Sequence, residues 1–157
     1  MININRLVET LSVPSVSGGE DRMREFIVNS LNERNISNYV DEYGNIYATK
    51  GVTDNFPCVV AHIDTVHDIT TFSVVESDYK LSAIKPDGSP TGIGGDNKAG
   101  VFVCLELLDR FDTIKAAFFV SEEVGCLGSY LSDPLFFENV GYAIQFDAPY
   151  NNWVSHY

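Results

Sequence analysis

Histidine and carboxylate side chains follow several apolar segments of this 157-residue chain, at the point where each segment ends. The segment VVAHIDTV places His62 and Asp64 two residues apart, so both side chains project to the same side of an extended chain. This spacing suits a metal-bound imidazole that a nearby carboxylate orients. The alternative interpretation is a structural histidine at the end of a strand.

Two adjacent acids, Glu122 and Glu123, follow the apolar run that ends in FFV. Neighbouring carboxylates repel each other unless water screens them or a positive charge lies between them. Adjacent residues of an extended chain point to opposite sides, so one carboxylate could bind a metal while the other contacts a water molecule. A solvated acidic loop is the alternative interpretation.

Asp96 and Asp147 complete the set of candidate ligands. Asp96 lies in GIGGDNKAG, where it could bind a metal or cap the helix that follows, and this glycine-rich stretch contains no complete phosphate-binding motif. Asp147 ends the run IQFDAP, where it could also be an ordinary turn residue. Ligands of open α/β sheets gather beyond the carboxyl ends of strands, so we expect one crevice to hold the whole set: His62, Asp96, Glu122, Glu123 and Asp147.

Helices and strands that could position these residues follow from the hydrophobic pattern. Apolar residues at helical spacing predict amphipathic helices near 7–11 and 20–31, and a nearly all-apolar stretch predicts a buried helix after Asn97. Apolar runs predict strands at 57–63, 114–121 and 142–146, with two short strands around 43–45 and further β-like pieces at 71–76 and 79–84. This alternation predicts the α/β class, as a three-layer sandwich with a central mixed, largely parallel sheet.

The bulk composition limits the possible partners. The net charge of −12 argues against nucleic acid and against an anionic membrane. The three cysteines form no C-x-x-C pair, so we expect no disulfide framework, and we expect Cys126 to pack as a small buried hydrophobe. The N-terminus has no signal-peptide pattern and no run could span a bilayer, which predicts a soluble, cytoplasmic protein of one domain, 1–157.

The motifs AHIDTV, GIGGDNKAGV and SEEVGCLGS, with Asp147 after them, resemble a known family. It is the family of zinc-dependent exopeptidases and deacylases that includes peptidase T, carboxypeptidase G and acetylornithine deacetylase. The resemblance extends from about residue 7 to residue 147 and includes the opening LVETLSVPSVSGGED. The GGDNKAG and SEEVG stretches are most similar to the tripeptidase branch.

The resemblance implies a metal-dependent hydrolase that cleaves short peptides, in the manner of an aminopeptidase or tripeptidase. An N-acyl amino-acid deacylase, or an incomplete metal- or peptide-binding homologue that needs a partner chain, are the alternatives. Two zinc ions are expected, although one is possible and cobalt or manganese could replace zinc. The roles carried over are His62 and Asp147 as ligands of one ion, Asp96 as the bridge, Glu123 as ligand of the second ion, Glu122 as general base, and Asp64 as the group that orients His62.

The family pattern requires one more histidine ligand, reached through a further stretch of sheet and helix. Only residues 148–157 follow Asp147, so we expect neither that stretch nor a lid or dimerisation domain in 1–157. A hairpin turn at Asn151 and Asn152 would place His156 opposite Asp147, although Pro149 disfavours this pairing. Otherwise a complementing chain or a second copy would have to supply the histidine, or the enzyme would use one metal.

Overall fold

The computed structural model describes residues 3–67 and 70–147, in which two helices and six strands are followed by alternating helical segments and strands. Most of these elements lie where the apolar pattern predicts them. Their bounds are α1 (Ile4–Leu11), α2 (Asp21–Glu33), β1 (Ser37–Val40), β2 (Ile46–Lys50), β3 (Phe56–His62), β4 (Ser73–Ser77), β5 (Lys80–Ile84), β6 (Pro90–Thr91), α3 (Gly95–Arg110), β7 (Ile114–Phe119), α4 (Leu127–Tyr130) and β8 (Val140–Gln145), with a 3-10 helix at Pro134–Phe137.

The main sheet has five strands in the order β1-β2-β7-β3-β8. Strand β3 lies between β7 and β8 and is parallel to both, whereas β2 is antiparallel to β1 and to β7. Strands β4, β5 and β6 form a separate antiparallel sheet. The predicted α/β class with a mixed sheet is confirmed.

Both faces of the central strands β3 and β7 are buried, which explains why these two strands are mostly apolar. In β3, Val59 and Ala61 pack against α2 and α3, whereas Cys58 and Val60 pack on the opposite face with Phe136 of the 3-10 helix. This alternation follows from the two-residue period of a strand. Two full helices therefore cover one face, and a single short helical turn covers the other.

Helix α2 packs its apolar side against the face of the sheet that two helices cover. Met23, Ile27 and Leu31 recur every four residues, and all three are fully buried. Helix α1 packs on α3, where Arg6 forms ion pairs with Glu106 and Asp109. Within the ranges that the structure describes, no helix has both the length and the apolar composition needed to cross a bilayer.

Strand β8 is the last strand of the described sheet and differs from its neighbours in exposure. Tyr142 and Ile144 are 59% and 47% exposed, although both are large apolar residues in a strand. Because β3, β7 and β8 are parallel, their carboxyl ends lie at the same edge of the sheet. His62, the turn after β7 and Asp147 therefore converge there.

Candidate metal centre

The imidazole of His62 lies at the centre of the acidic cluster at this edge. The residue is 2% exposed, and its Nδ1 lies 3.1 Å from the backbone carbonyl oxygen of Asp64. A carbonyl oxygen only accepts, so Nδ1 donates its hydrogen and a neutral ring keeps Nε2 free to bind a cation. The distances from Nε2 to carboxylate oxygens are 3.2 Å for Asp96, 3.5 Å for Asp147 and 3.7 Å for Glu122.

The electrostatics of the cluster favour a positive charge at its centre. Burial lowers the pKa of His62, but the hydrogen bond to Asp64 and the negative charges around the ring outweigh burial and raise that pKa to about 9. Burial raises the pKa of Asp147, and the charge of Asp96 raises it further against the opposing effect of His62. The pKa of Glu123 is also raised, first by burial and then by Asp96.

The ligand atoms form two groups that share His62. In one group the atoms belong to His62, Asp96 and Asp147, and in the other to His62, Glu122 and Glu123. Within each group the atoms lie within 4.8 Å of one another. One imidazole nitrogen surrounded by carboxylate oxygens is a donor set that suits zinc. The structure thus brings together the five residues expected in one crevice, and their individual roles remain predictions.

Asp64 is fully buried, and His62 is only one of the groups that its carboxylate contacts. Its Oδ1 accepts the backbone N–H of Glu122 at 2.9 Å, and its Oδ2 accepts the N–H of Glu123 at 3.1 Å and the hydroxyl of Ser17 at 2.7 Å. Burial raises the pKa of Asp64, but the hydrogen bonds from His62, Ser17 and the two amides lower it to about 2. Asp64 therefore remains ionised and fixes both the imidazole and the backbone of the two acids.

A second buried carboxylate, that of Glu20, binds the residue just before these acids. Its Oε1 accepts the backbone N–H of Ser121 at 3.2 Å, the Ser121 hydroxyl at 3.3 Å and the N–H of Gly18 at 3.0 Å. Ser121 has a φ of 54°, a left-handed conformation that is uncommon for residues other than glycine. Two carboxylates thus bind three successive amides of residues 121–123, which we call the acidic turn.

Asn45 stabilises the same region from the other side. This fully buried residue accepts the N–H of Val120 at 3.2 Å on its Oδ1 and donates from Nδ2 to the carbonyl of Gly128 at 3.0 Å. A Cβ at Gly128 would collide with the carbonyl oxygen of Val120 and with the Asn45 side chain. A glycine is therefore required where α4 begins beside the acidic turn.

Asp96 does not cap α3, so that alternative is wrong. The N-cap residue is Gly94, and Asp96 follows it with a non-helical ψ of 108°. Its side chain is 75% exposed and its Oδ1 approaches Nε2 of His62 instead. The next residue, Asn97, accepts the N–H of Gly100 at 3.0 Å on its Oδ1.

The expectation for Cys126 is also wrong. This residue is exposed rather than packed, and its Sγ lies 3.4 Å from Oε1 of Glu122. Its φ of 56° turns the chain before α4, so the side chain points away from the core. His156 and the hairpin turn proposed for it lie outside the described residues, as does Pro149.

Three residues that position the site were not identified from the sequence: Ser17, Glu20 and Asn45. Their partners are distant in the chain, and Glu20 and Ser121 are 101 positions apart. Polar residues in turns carry no periodic signal. The available hint was that Ser17 and Glu20 lie in SVSGGED, part of the opening that carries the family resemblance.

Comparison with known proteins gives matches among solved structures alone, because no family model and no curated protein sequence matches the chain. A tripeptidase from Staphylococcus aureus is 20% identical with a TM-score of 0.79, over 94% of this chain and 44% of that one. The aminopeptidase PepT from Bacillus cereus is 21% identical with a TM-score of 0.78, over 92% and 42% of the two chains. Human carnosine dipeptidase 1 is 19% identical with a TM-score of 0.74, over 94% and 38%.

The chain therefore has the fold found in these peptidases and spans less than half the length of each. The fold implied by the resemblance to exopeptidases is confirmed.

Proposed function

We propose that the chain belongs to a metal-dependent hydrolase that cleaves amide bonds of short peptides. The observation that carries this proposal is the placement of Nε2 of the buried His62 among the carboxylates of Asp96, Asp147 and Glu122. A buried imidazole that faces three acids suits a bound cation. The known structures that share the fold are a tripeptidase, an aminopeptidase and a dipeptidase, which supports short peptides as the substrate class.

The proposed ligands divide between two zinc ions. His62 and Asp147 would hold one ion, Glu123 would hold the other, and Asp96 would be shared between them. When bound, zinc acidifies a water molecule and polarises the carbonyl of the substrate. No second histidine joins the cluster within 3–67 and 70–147, and we propose His156 or a histidine of a partner chain as the further ligand.

Glu122 is the proposed general base. Its side chain is 28% exposed, and its Oε2 lies 3.7 Å from Nε2 of His62, so the carboxylate faces the space between the ligands. It would accept a proton from the attacking water and return it to the leaving amine. The hydrogen bond from its backbone to Asp64 holds it there without engaging its carboxylate. The thiol of Cys126 contacts Oε1 of Glu122, so Oε2 is the oxygen that we propose for this role.

The test combines metal analysis with hydrolysis. The zinc-loaded protein is assayed on dipeptides, tripeptides and N-acetyl amino acids, as are Glu122→Gln and the exposed control Glu42→Gln. We expect bound zinc in all three proteins, peptide cleavage by the wild type and the control, and a loss of roughly 100- to 10,000-fold in Glu122→Gln. Absence of zinc binding, or full activity of Glu122→Gln, would overturn the proposal. Cleavage of N-acetyl amino acids alone would identify a deacylase instead.

A further inference from the structure

A cavity of about 100 Å³ opens beside Glu122, and nothing in the proposed chemistry uses it. Glu122 and His62 form the wall nearest the candidate metal centre, and Val60 and Phe119 form the wall inside the protein. Both apolar residues belong to the cluster on the thinner face of the sheet, opposite α2 and α3. The cavity therefore extends from the candidate metal centre to apolar side chains inside the protein.

The strand register explains why the cavity lies there. Val60 and His62 are two residues apart in β3, so their side chains share a face, and Phe119 of β7 pairs with His62. Among residues 3–67 and 70–147, the 3-10 helix is what covers this face, and it packs farther along the sheet around Tyr47 and Phe136. These described residues leave the space next to His62 open.

The rim of the cavity is polar, in contrast to its interior. Cys126 and Ser129 border the opening, and both residues are exposed. Val60 and Phe119 are each 9% exposed. An apolar interior with a polar opening is typical of a pocket that takes an apolar group.

The volume limits what can enter. An enclosed cavity of about 150 Å³ holds a benzene ring, so this open cavity of about 100 Å³ suits an aliphatic group of a few carbons better than an aromatic ring. The carboxylate of Glu122 in the wall disfavours acidic groups by like-charge repulsion. The cavity therefore fits side chains such as those of alanine and valine.

We propose that this cavity is a substrate subsite that receives the side chain of the residue whose carbonyl carbon is attacked. The inference rests on the proposed function, because it places that carbonyl beside Glu122. The side chain of that residue begins two bonds from the carbonyl carbon, whereas the side chain on the amine side begins three bonds away, so the acyl-side side chain is the nearer of the two. The subsite makes small aliphatic residues the preferred residues on the acyl side of the cleaved bond.

The experiment measures kcat/KM for tripeptides X-Gly-Gly in which X is glycine, alanine, valine, phenylalanine or glutamate. For the wild type we expect kcat/KM to rise from glycine to valine, by about fourfold for each buried carbon, and to fall for phenylalanine and glutamate. The variant Ser129→Phe narrows the opening from an exposed position. It should reduce cleavage of the valine peptide by about 10-fold or more, which corresponds to the loss of roughly two buried carbons, and leave the glycine peptide nearly unchanged.

Two further variants make the result decisive. Leu131→Phe adds the same ring at a partly exposed position that does not line the cavity, and it should keep the wild-type preference. Val60→Ala enlarges the cavity and should shift the preference toward phenylalanine, which gives a second readout if Ser129→Phe does not fold.

Peptide cleavage without any preference among X would overturn the subsite and leave the proposed function standing. The subsite would also be overturned if Ser129→Phe reduced kcat/KM equally for all peptides and Val60→Ala kept the wild-type preference. If the zinc-loaded wild type cleaves no peptide, the proposed function fails and the subsite fails with it.

Discussion

The carboxylate of Asp64 binds the backbone of Glu122, whose N–H it accepts at 2.9 Å, while it also contacts the imidazole of His62. The same carboxylate accepts the N–H of Glu123 on its other oxygen. One buried side chain thus sets the relative position of the proposed base and two proposed ligands. Changes at Asp64 should therefore affect metal binding and hydrolysis together.

The variant Asp64→Asn tests this coupling. An asparagine has one acceptor oxygen where aspartate has two, so at least one of the backbone N–H groups of the acidic turn loses its acceptor. A buried N–H without a partner costs about 1 to 3 kcal/mol. We expect urea unfolding to show a free energy of unfolding that is lower by that amount. Zinc affinity and the rate of hydrolysis should each fall by about 10-fold or more. The exposed control Asp54→Asn should match the wild type, and unchanged zinc affinity in Asp64→Asn would contradict the coupling.

Glu20 should influence hydrolysis more than zinc affinity. Glu20→Ala removes the acceptor of the Ser121 N–H and frees the residue that precedes Glu122, whereas His62 and its contacts to Asp96 and Asp147 are untouched. We expect hydrolysis to fall by about 10-fold or more. Zinc affinity should change by about threefold or less, because Glu123 is the one proposed ligand that lies in the acidic turn.

Two controls separate positioning from general destabilisation. Glu20→Gln keeps an acceptor oxygen and should recover most of the activity, and the exposed Glu25→Ala on the same helix should behave as the wild type. A Glu20→Gln variant as impaired as Glu20→Ala would argue against a role for the accepted hydrogen bonds.

Zinc binding should release a proton at neutral pH. The pKa of His62 is raised to about 9 in the protein without metal, so the ring is protonated at pH 7 and must lose that proton to bind zinc. Zinc affinity should therefore increase by about tenfold per pH unit below pH 9 from this group alone. Calorimetry at pH 7 in buffers of different ionisation enthalpy should detect about one released proton. Affinity that does not change between pH 6.5 and 8.5 would refute this.

The same pKa predicts the stability of the metal-free protein. Since the pKa is above the ordinary value of 6.5, the protonated ring stabilises the fold fully below pH 6.5, and that contribution is lost as pH rises through about 9. Thermal unfolding of the metal-free protein should show this decline, and His62→Ala should lack it. Burial lowers the pKa of Lys98 to about 8, which adds stability as pH rises above that value, so the check is the difference in melting temperature between the wild type and His62→Ala. A difference that moves in favour of the wild type from pH 6.5 to 9 would contradict the sign.

The three cysteines should differ in reactivity. Cys126 is exposed, whereas Cys58 and Cys104 are buried, and burial raises the pKa of the Cys58 thiol to about 11. A thiol reagent should label one cysteine in the native protein and all three in guanidinium chloride. The variant Cys126→Ala should show no rapid labelling. Rapid labelling of two or more thiols in the native protein would show that the core opens.

The sequence predicted the site well where strand geometry determines it. His62 and Asp147 end parallel strands, so alternation and the common edge of the sheet were enough to bring them together. This inference needs only local periodicity and one general rule about parallel sheets. The expected separation of the Glu122 and Glu123 side chains is not observed, because both carboxylates lie in one group with His62, after the left-handed turn at Ser121.

The rest depended on contacts between distant parts of the chain. Glu20 binds Ser121 and Ser17 binds Asp64, pairs that no local pattern reveals. The prediction for Cys126 was wrong because this exposed residue has a left-handed backbone conformation, which the sequence does not indicate for a cysteine. The preceding Gly125 also has a positive φ, but such a conformation is expected of a glycine. The resemblance supplied the roles of residues but not the hydrogen bonds that hold them.

The exposed strand β8 has a consequence for how the protein behaves in solution. Within the described ranges, β8 lies at the border of the sheet with Tyr142 and Ile144 uncovered, and a border strand is a template on which another copy can add its own strand. The net charge of −12 keeps copies apart at neutral pH, but this repulsion disappears near the isoelectric point of about 4.4 and is screened by salt. The acidic composition thus acts as a barrier to aggregation, and mild acid should turn the same strand into a nucleus for ordered aggregates.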